Sequence, residues 1–142
     1  MPPLIDPSTE FGRRAELRLR EDGIGWLVTV GKEGSPQPTP VWFSWDGESI
    51  LIYSAPGQAK LKNIGRNPRV ALHLDSRSSG DDIVIVVGDA NVDPSAPLAH
   101  QNLPYIAKYR EEMQRLGLGT PEEMSATYSA VIRIRPRNVR GY

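Results

Sequence analysis

Cationic residues are bunched where acids are missing. From Ser49 to Leu74 the chain carries Lys60, Lys62, Arg66 and Arg69 and no Asp or Glu; from Met124 to Tyr142 it carries Arg133, Arg135, Arg137 and Arg140, again with no acid. The acids gather instead at Asp75, Asp81, Asp82, Asp89 and Asp93. Two cationic segments in a neutral chain point to a confined anion site more than to general stickiness. In the first segment, Ser54-Ala55-Pro56-Gly57 ends a strand, and Gln58 to Arg66 reads as a short helix stopped by Asn67-Pro68. Lys60 then falls in the first helical turn, where the helix dipole disfavours a cation. An anion held by free backbone N–H groups and by Lys60 would reverse that penalty. The plain alternative is that Lys60 and Lys62 are solvated surface lysines.

Pro36, Pro38 and Pro40 are spaced by two. In an extended segment all three direct their missing N–H toward one strand edge, while Gln37, Thr39 and Val41 keep donors for the other. Such a strand pairs on one side only and belongs at a sheet edge or barrel opening. It either guards an edge against aggregation or leaves backbone free for a planar ligand, with Trp42 or Trp45 nearby. Other chemistry is thin. His73 lies in an apolar strand and His100 in a polar loop, with no cysteine and no carboxylate at ligand spacing, so no metal site is expected. No spacing supports a Ser-His-Asp triad or a carboxylate pair, and no catalytic acid or base is assigned. Arg133, Arg135 and Arg137 alternate as the wet face of a terminal strand would.

The elements that must position these residues are mostly β. Thr9 to Asp22 reads as a charged surface helix, with residues 1–8 as a poorly ordered arm. Strands are expected over Trp26–Val30, Val41–Trp45, Ile50–Ser54, Val70–Leu74, Ile83–Val92 and Ala130–Arg135, with an extended tail to Tyr142. Asp46-Gly47 makes a hairpin turn. Leu103, Ile106, Tyr109, Met113 and Leu116 recur at helical spacing and predict a packing helix over 103–117. Thr120-Pro121-Glu122-Glu123 has the form of a capping box opening a further short helix. Short strands with helices inserted rather than alternating indicate one α+β domain over 1–142, mainly β: a small antiparallel barrel with peripheral helices. No glycine-rich nucleotide motif opens a helix.

Composition excludes several classes. The chain has 142 residues, 17 Lys+Arg against 17 Asp+Glu, two His and no Cys. Disulfides, thiolate metal sites and cysteine nucleophiles are ruled out. Balanced charge argues against a broad nucleic-acid-binding surface. Met1-Pro-Pro-Leu-Ile-Asp-Pro does not read as a signal peptide, and no apolar run approaches the roughly 18–20 residues of a membrane span. A cytoplasmic protein is expected.

Taken together, these pieces resemble the FMN-binding split-barrel superfamily, the pyridoxamine-phosphate-oxidase-like proteins, over about residues 22–93 with a family-like tail from Ala130. Ile52-Tyr53-Ser54-Ala55-Pro56-Gly57-Gln58-Ala59-Lys60 followed by Asn63-Ile64 and Asn67-Pro68 has the length of the family's strand–turn–helix segment. Gln58-Ala59 stand where the oxidases carry Ser-Arg, and the Pro38–Phe43 segment replaces their cationic strand. Gly34-Ser35-Pro36, Pro40-Val41-Trp42-Phe43, Lys60-x-x-Asn63-Ile64 and the closing Ile134-x-Pro136-x-x-Val139-Arg140-Gly141-Tyr142 look like the branch that binds the deazaflavin coenzyme F420. The resemblance implies a homodimer of six-stranded split barrels with cofactor sites at the subunit interface. The tricyclic ring would lie against Thr39, Pro40, Val41 and Trp42. Lys60, Asn63 and Lys62 would hold the phosphate, Ser54 would supply the strand-end hydroxyl, and Arg66 would face the acidic tail. The implied activity is hydride transfer with an unsaturated or conjugated acceptor, carried by the cofactor. Two alternatives stay open: an FMN-binding oxidoreductase, and a non-catalytic carrier of flavin, deazaflavin or haem.

Overall fold

The computed structural model describes residues 3–142. Seven strands form one antiparallel sheet: β1 (Gly25–Val30), β2 (Pro36–Val41), β3 (Ser44–Trp45), β4 (Ile50–Ser54), β5 (Arg69–Leu74), β6 (Val84–Val92) and β7 (Ala130–Gly141). Their order across the sheet is β2-β1-β5-β6-β7-β4-β3. Helices α1 (Glu10–Glu21), α2 (Ala59–Arg66), α3 (Leu103–Arg115) and α4 (Pro121–Thr127) are inserted between strands. The two edge strands, β2 and β3, are neighbours in sequence, separated only by Trp42 and Phe43. Three Cα steps of about 3.8 Å cannot cross an open sheet, so the sheet must curl until its edges meet.

The alternation along the strands fills the curl. Leu27, Ile50, Ile52, Leu72, Val84, Val86, Ile132 and Ile134 are all buried within one interior cluster. The opposite face of β4 and β7 offers Leu51, Tyr53 and Val131 to a second cluster with Tyr105, Ile106, Tyr109 and Met113 of α3 and Met124 of α4. Along β6 and β7 the pairing slips at Val87/Gly88. A Cβ at Gly88 would stand 2.3 Å from the Arg135 carbonyl oxygen, so only glycine fits this bulge.

Several expectations are corrected. The Val41–Trp45 strand does not exist as one piece: the proline segment is itself a strand, and the chain turns at Trp42-Phe43 to pass from one sheet edge to the other. That adds a seventh strand to the expected six. The terminal strand runs to Gly141 rather than Arg135, because β6 supplies a pairing partner along its whole length. The buried stripe of α3 is Tyr105, Ile106, Tyr109 and Met113, whereas Leu103 and Leu116 are exposed. Of the arm expected over residues 1–8, residues 1 and 2 lie outside the described residues, while Ile5 packs on the barrel core and the Asp6 carbonyl accepts from Thr9. The capping box at α4 forms, with Glu123 N–H donating to Thr120 Oγ1 at 3.1 Å. Among the described residues, no helix is long and apolar enough to cross a membrane.

Candidate functional site

The curl leaves a split. β3 pairs only with Ile50 and Leu51 of β4, so the later residues of β4 have no strand on that side. Across the gap stands β2, whose only strand partner among the described residues is β1. For that ladder to form, the hydrogen-bonded pairs must fall at Gln37, Thr39 and Val41, since Pro36, Pro38 and Pro40 have no N–H to give. The free edge of β2 therefore presents the carbonyls of the three prolines and no donor. This is the one-sided strand that the proline spacing predicts.

A cleft of about 300 Å³ occupies the split. Pro40, Val41 and Trp42 line it from one sheet edge, Ile52 and Tyr53 from the other, and Lys60 from the start of α2. Tyr105 of α3, Met124 and Tyr128 at α4, and Leu116 and Leu118 between those helices close its remaining wall. α3 also fixes the seam. Tyr109 Oη accepts from the Phe43 N–H at 2.9 Å and donates to the Gly23 carbonyl at 2.7 Å. Lys108 Nζ donates to the Phe43 carbonyl at 3.0 Å and sits 3.8 Å above the Phe43 ring. The Trp42 indole stacks on Tyr109 with centroids 4.4 Å apart, which fixes the wall it gives to the cleft.

Lys60 is the cation of this site. It is half-buried and stands in the first turn of α2, whose N-cap Gln58 makes no side-chain cap and whose first turn holds no acid. Burial lowers its pKa, with no carboxylate acting against the shift. The other expected phosphate ligands sit differently. Lys62 is exposed and lies roughly 200° further round α2 than Lys60, at about 100° per residue. Asn63 is buried, its Nδ2 donating to Thr29 Oγ1 at 2.9 Å and its Oδ1 accepting from Arg66 at 2.7 Å. Those bonds tie α2 to β1, and Arg66 stays exposed beside them. Ser54 is buried, with its hydroxyl donating to the Ala55 carbonyl at 2.9 Å. Thr39 lies half-buried on β2, pairing with Leu27. Of the expected residues, Pro40, Val41, Trp42 and Lys60 thus meet at one cleft.

The tyrosines of that cleft, and the part of α3 in building it, are absent from the sequence reading, which took the helix as packing. The signal was available: tyrosines rather than leucines on its buried stripe carry hydroxyls that need partners. The remaining candidates are occupied by packing and pairing. His73 stacks on Trp26 at 6.4 Å, and His100 Nδ1 lies 2.8 Å from Ser125 Oγ. Arg135 and Arg137 are exposed, as a wet strand face requires, and bind Asn91 and Asp89, whereas Arg133 is half-buried and binds Asp93 at 2.7 Å.

The sequence profile of the pyridoxamine 5'-phosphate oxidase family matches residues 13–142. The chain belongs to this family. Within the pyridoxamine 5'-phosphate oxidase family and fold, it is 30% identical over 114 residues to the 5a,11a-dehydrotetracycline/5a,11a-dehydrooxytetracycline reductase of Streptomyces rimosus, covering 75% of this chain and 77% of that one. A solved F420 reductase superposes with a TM-score of 0.65 at 27% identity, covering 88% of this chain and 94% of that one. A conserved hypothetical protein of Mycobacterium tuberculosis shares the fold, with a TM-score of 0.69 at 24% identity over 93% of this chain and 82% of that one.

Proposed function

We propose that this protein is a cytoplasmic, homodimeric oxidoreductase that passes hydride between coenzyme F420 and a small unsaturated or conjugated organic substrate. The observation that carries the proposal is Lys60: a half-buried ammonium with no counter-ion among the described residues, at an uncapped helix start, on the rim of an aromatic cleft in the barrel split. That donor set suits a phosphate attached to a planar ring. Family membership supports a flavin-type redox cofactor, and the reductase names of two relatives favour reduction and the deazaflavin.

When bound, the coenzyme supplies or accepts the hydride. The rest falls to the chain. Lys60 and the first amides of α2 hold the phosphate. The exposed Arg66 would face the acidic tail beyond it, with Asn63 and Thr29 keeping α2 in place. The open edge of β2 and the Trp42 indole would wall the ring in the cleft. Ser54 closes the strand before the phosphate turn.

Fluorescence titration with oxidised F420, beside an identical FMN titration, tests the reading. Saturable F420 binding with weak FMN binding is expected. Lys60→Ala should keep the fold and lose about 1.5–3 kcal/mol of affinity, roughly ten- to a hundred-fold in Kd. An unchanged Kd in that variant removes the phosphate site, and preference for FMN moves the protein to the flavin enzymes.

A further inference from the structure

A second cavity, of about 400 Å³, adjoins the cleft, and Trp42 and Leu116 line both. Lys108 of α3 lines this cavity and not the cleft. Its Nζ donates to the Phe43 carbonyl at 3.0 Å and lies 3.8 Å from the Phe43 ring centroid and 5.3 Å from that of Tyr109. The acids nearby are committed elsewhere or stand in water. Glu112 binds Arg115 at 2.5 Å, Asp22 binds Arg18 at 2.5 Å, and Glu21 is exposed. Among the described residues, Lys108 makes no salt bridge.

An ammonium half-buried between two aromatic rings is poorly hydrated, and one backbone carbonyl is a small return for the water it gives up. Burial, with the charge of Asp22 acting the other way, brings the Lys108 pKa down to about 8. A share of the molecules at neutral pH therefore holds the free amine, whose lone pair is the nucleophile. What stands beside that amine is apolar. The Trp42 indole stacks on Tyr109 with 5° between the planes, and Ile24 and Leu116 complete the wall. Such a space takes a molecule built on one aromatic ring. Of the carbonyl groups that ring could bring, an aldehyde condenses with an amine at neutral pH and needs no leaving group other than water.

We propose that Lys108 is a covalent capture site for a small aromatic aldehyde, held as a protonated imine in the cavity next to Trp42. This site is independent of the cofactor in the barrel split. The Lys108 nitrogen gives up a proton, and its lone pair forms a C–N bond to the aldehyde carbon. The C–O bond then breaks, and the oxygen leaves as water with two of the three ammonium protons. Nothing is oxidised or reduced. The iminium keeps one N–H and the positive charge, so the hydrogen bond to the Phe43 carbonyl and the contact with the Phe43 ring both survive the reaction.

The test uses the full wild-type chain, so no variant has to fold. Benzaldehyde, or propanal at the same concentration, is added with cyanoborohydride to trap imines, and the labelled lysines are located by peptide mass spectrometry. Benzaldehyde should label Lys108 about tenfold faster than the exposed Lys32 and Lys62. The ratio of benzaldehyde to propanal labelling should be about fivefold higher at Lys108 than at those two, because only there does the ring find a wall. Excess benzyl alcohol, which fills the same space and forms no imine, should slow benzaldehyde at Lys108 and leave Lys32 and Lys62 unchanged. Labelling of Lys108 no faster than of Lys32 and Lys62 overturns the assignment, as does faster labelling of Lys60 in the cleft. An equal aldehyde ratio at all these lysines, or indifference of Lys108 to benzyl alcohol, overturns it too, since either would leave a reactive amine without a binding cavity.

Discussion

Two tyrosines one helical turn apart on α3 differ in what their hydroxyls bind. Tyr109 satisfies the backbone where the barrel closes, at the Phe43 amide and the Gly23 carbonyl. Removing its hydroxyl strands buried backbone groups, so Tyr109→Phe should cost about 1–3 kcal/mol in urea denaturation. Tyr105→Phe breaks no internal hydrogen bond and should be at least as stable as wild type. Equal losses in the two variants would give Tyr105 a structural role. The sequence places Lys60 in a first helical turn, because Gly57 and Asn67-Pro68 bracket the helix. What surrounds Lys60 was out of reach there: that Lys62 turns away and Asn63 is spent on Thr29 depends on which face of α2 meets the barrel.

The elements show the same division. The one-sided character of β2 follows from proline at every second residue, since a missing N–H is a local covalent fact. The length of β7 does not, because Pro136, Arg137 and Arg140 read as an extended tail beyond the strand until β6 is laid beside them. A polar chain joins these strands to the β3–β4 turn: Ser95 and Arg133 bind Asp93, Arg133 reaches Ser49, and Ser49 caps Asp46. The Ser95 hydroxyl first, then Arg133, holds the Asp93 carboxyl well below the usual carboxylate range. Its folded pKa is thus below the unfolded value of about 3.9, so the stabilisation is complete above that pH and is lost as pH falls through the folded value. Asp93→Asn should be less stable at neutral pH and lose less stability between about pH 4 and pH 2. Parallel acid limbs for variant and wild type in thermal melts would remove Asp93 from this role.

For the molecule as a whole, the outward face of β2, β1, β5 and β6 is the unfinished surface. Pro38, Val28, Ala71 and Val87 form one row across four strands, and Pro40, Trp26, His73 and Ile85 form the next. All keep part of their surface exposed. An antiparallel sheet facing water normally alternates to polar side chains there, and this face does not. A second copy packed on it would bury these rows symmetrically and bring a partner beside the open edge of β2. Light scattering should give twice the 15.7 kDa chain mass, and Ala71→Asp should reduce it to one chain. A monomeric wild type at micromolar concentration removes the interface.

By itself the sequence determined the β-rich single-sheet architecture, the helix starts, the edge strand and the cation that faces the cleft. Each rests on short-range chemistry: period-two alternation, a capping hydroxyl, a proline without a donor, a lysine against a helix dipole. Tertiary structure alone decided that Trp42-Phe43 is the seam joining two sheet edges, and that a cleft opens in the split beside it. It also decided that α3, a packing helix by its spacing, lines that cleft with Tyr105. Those facts depend on which edges meet when the sheet curls, and closure brings together residues 42, 60, 105 and 128, whose separation along the chain no local pattern records.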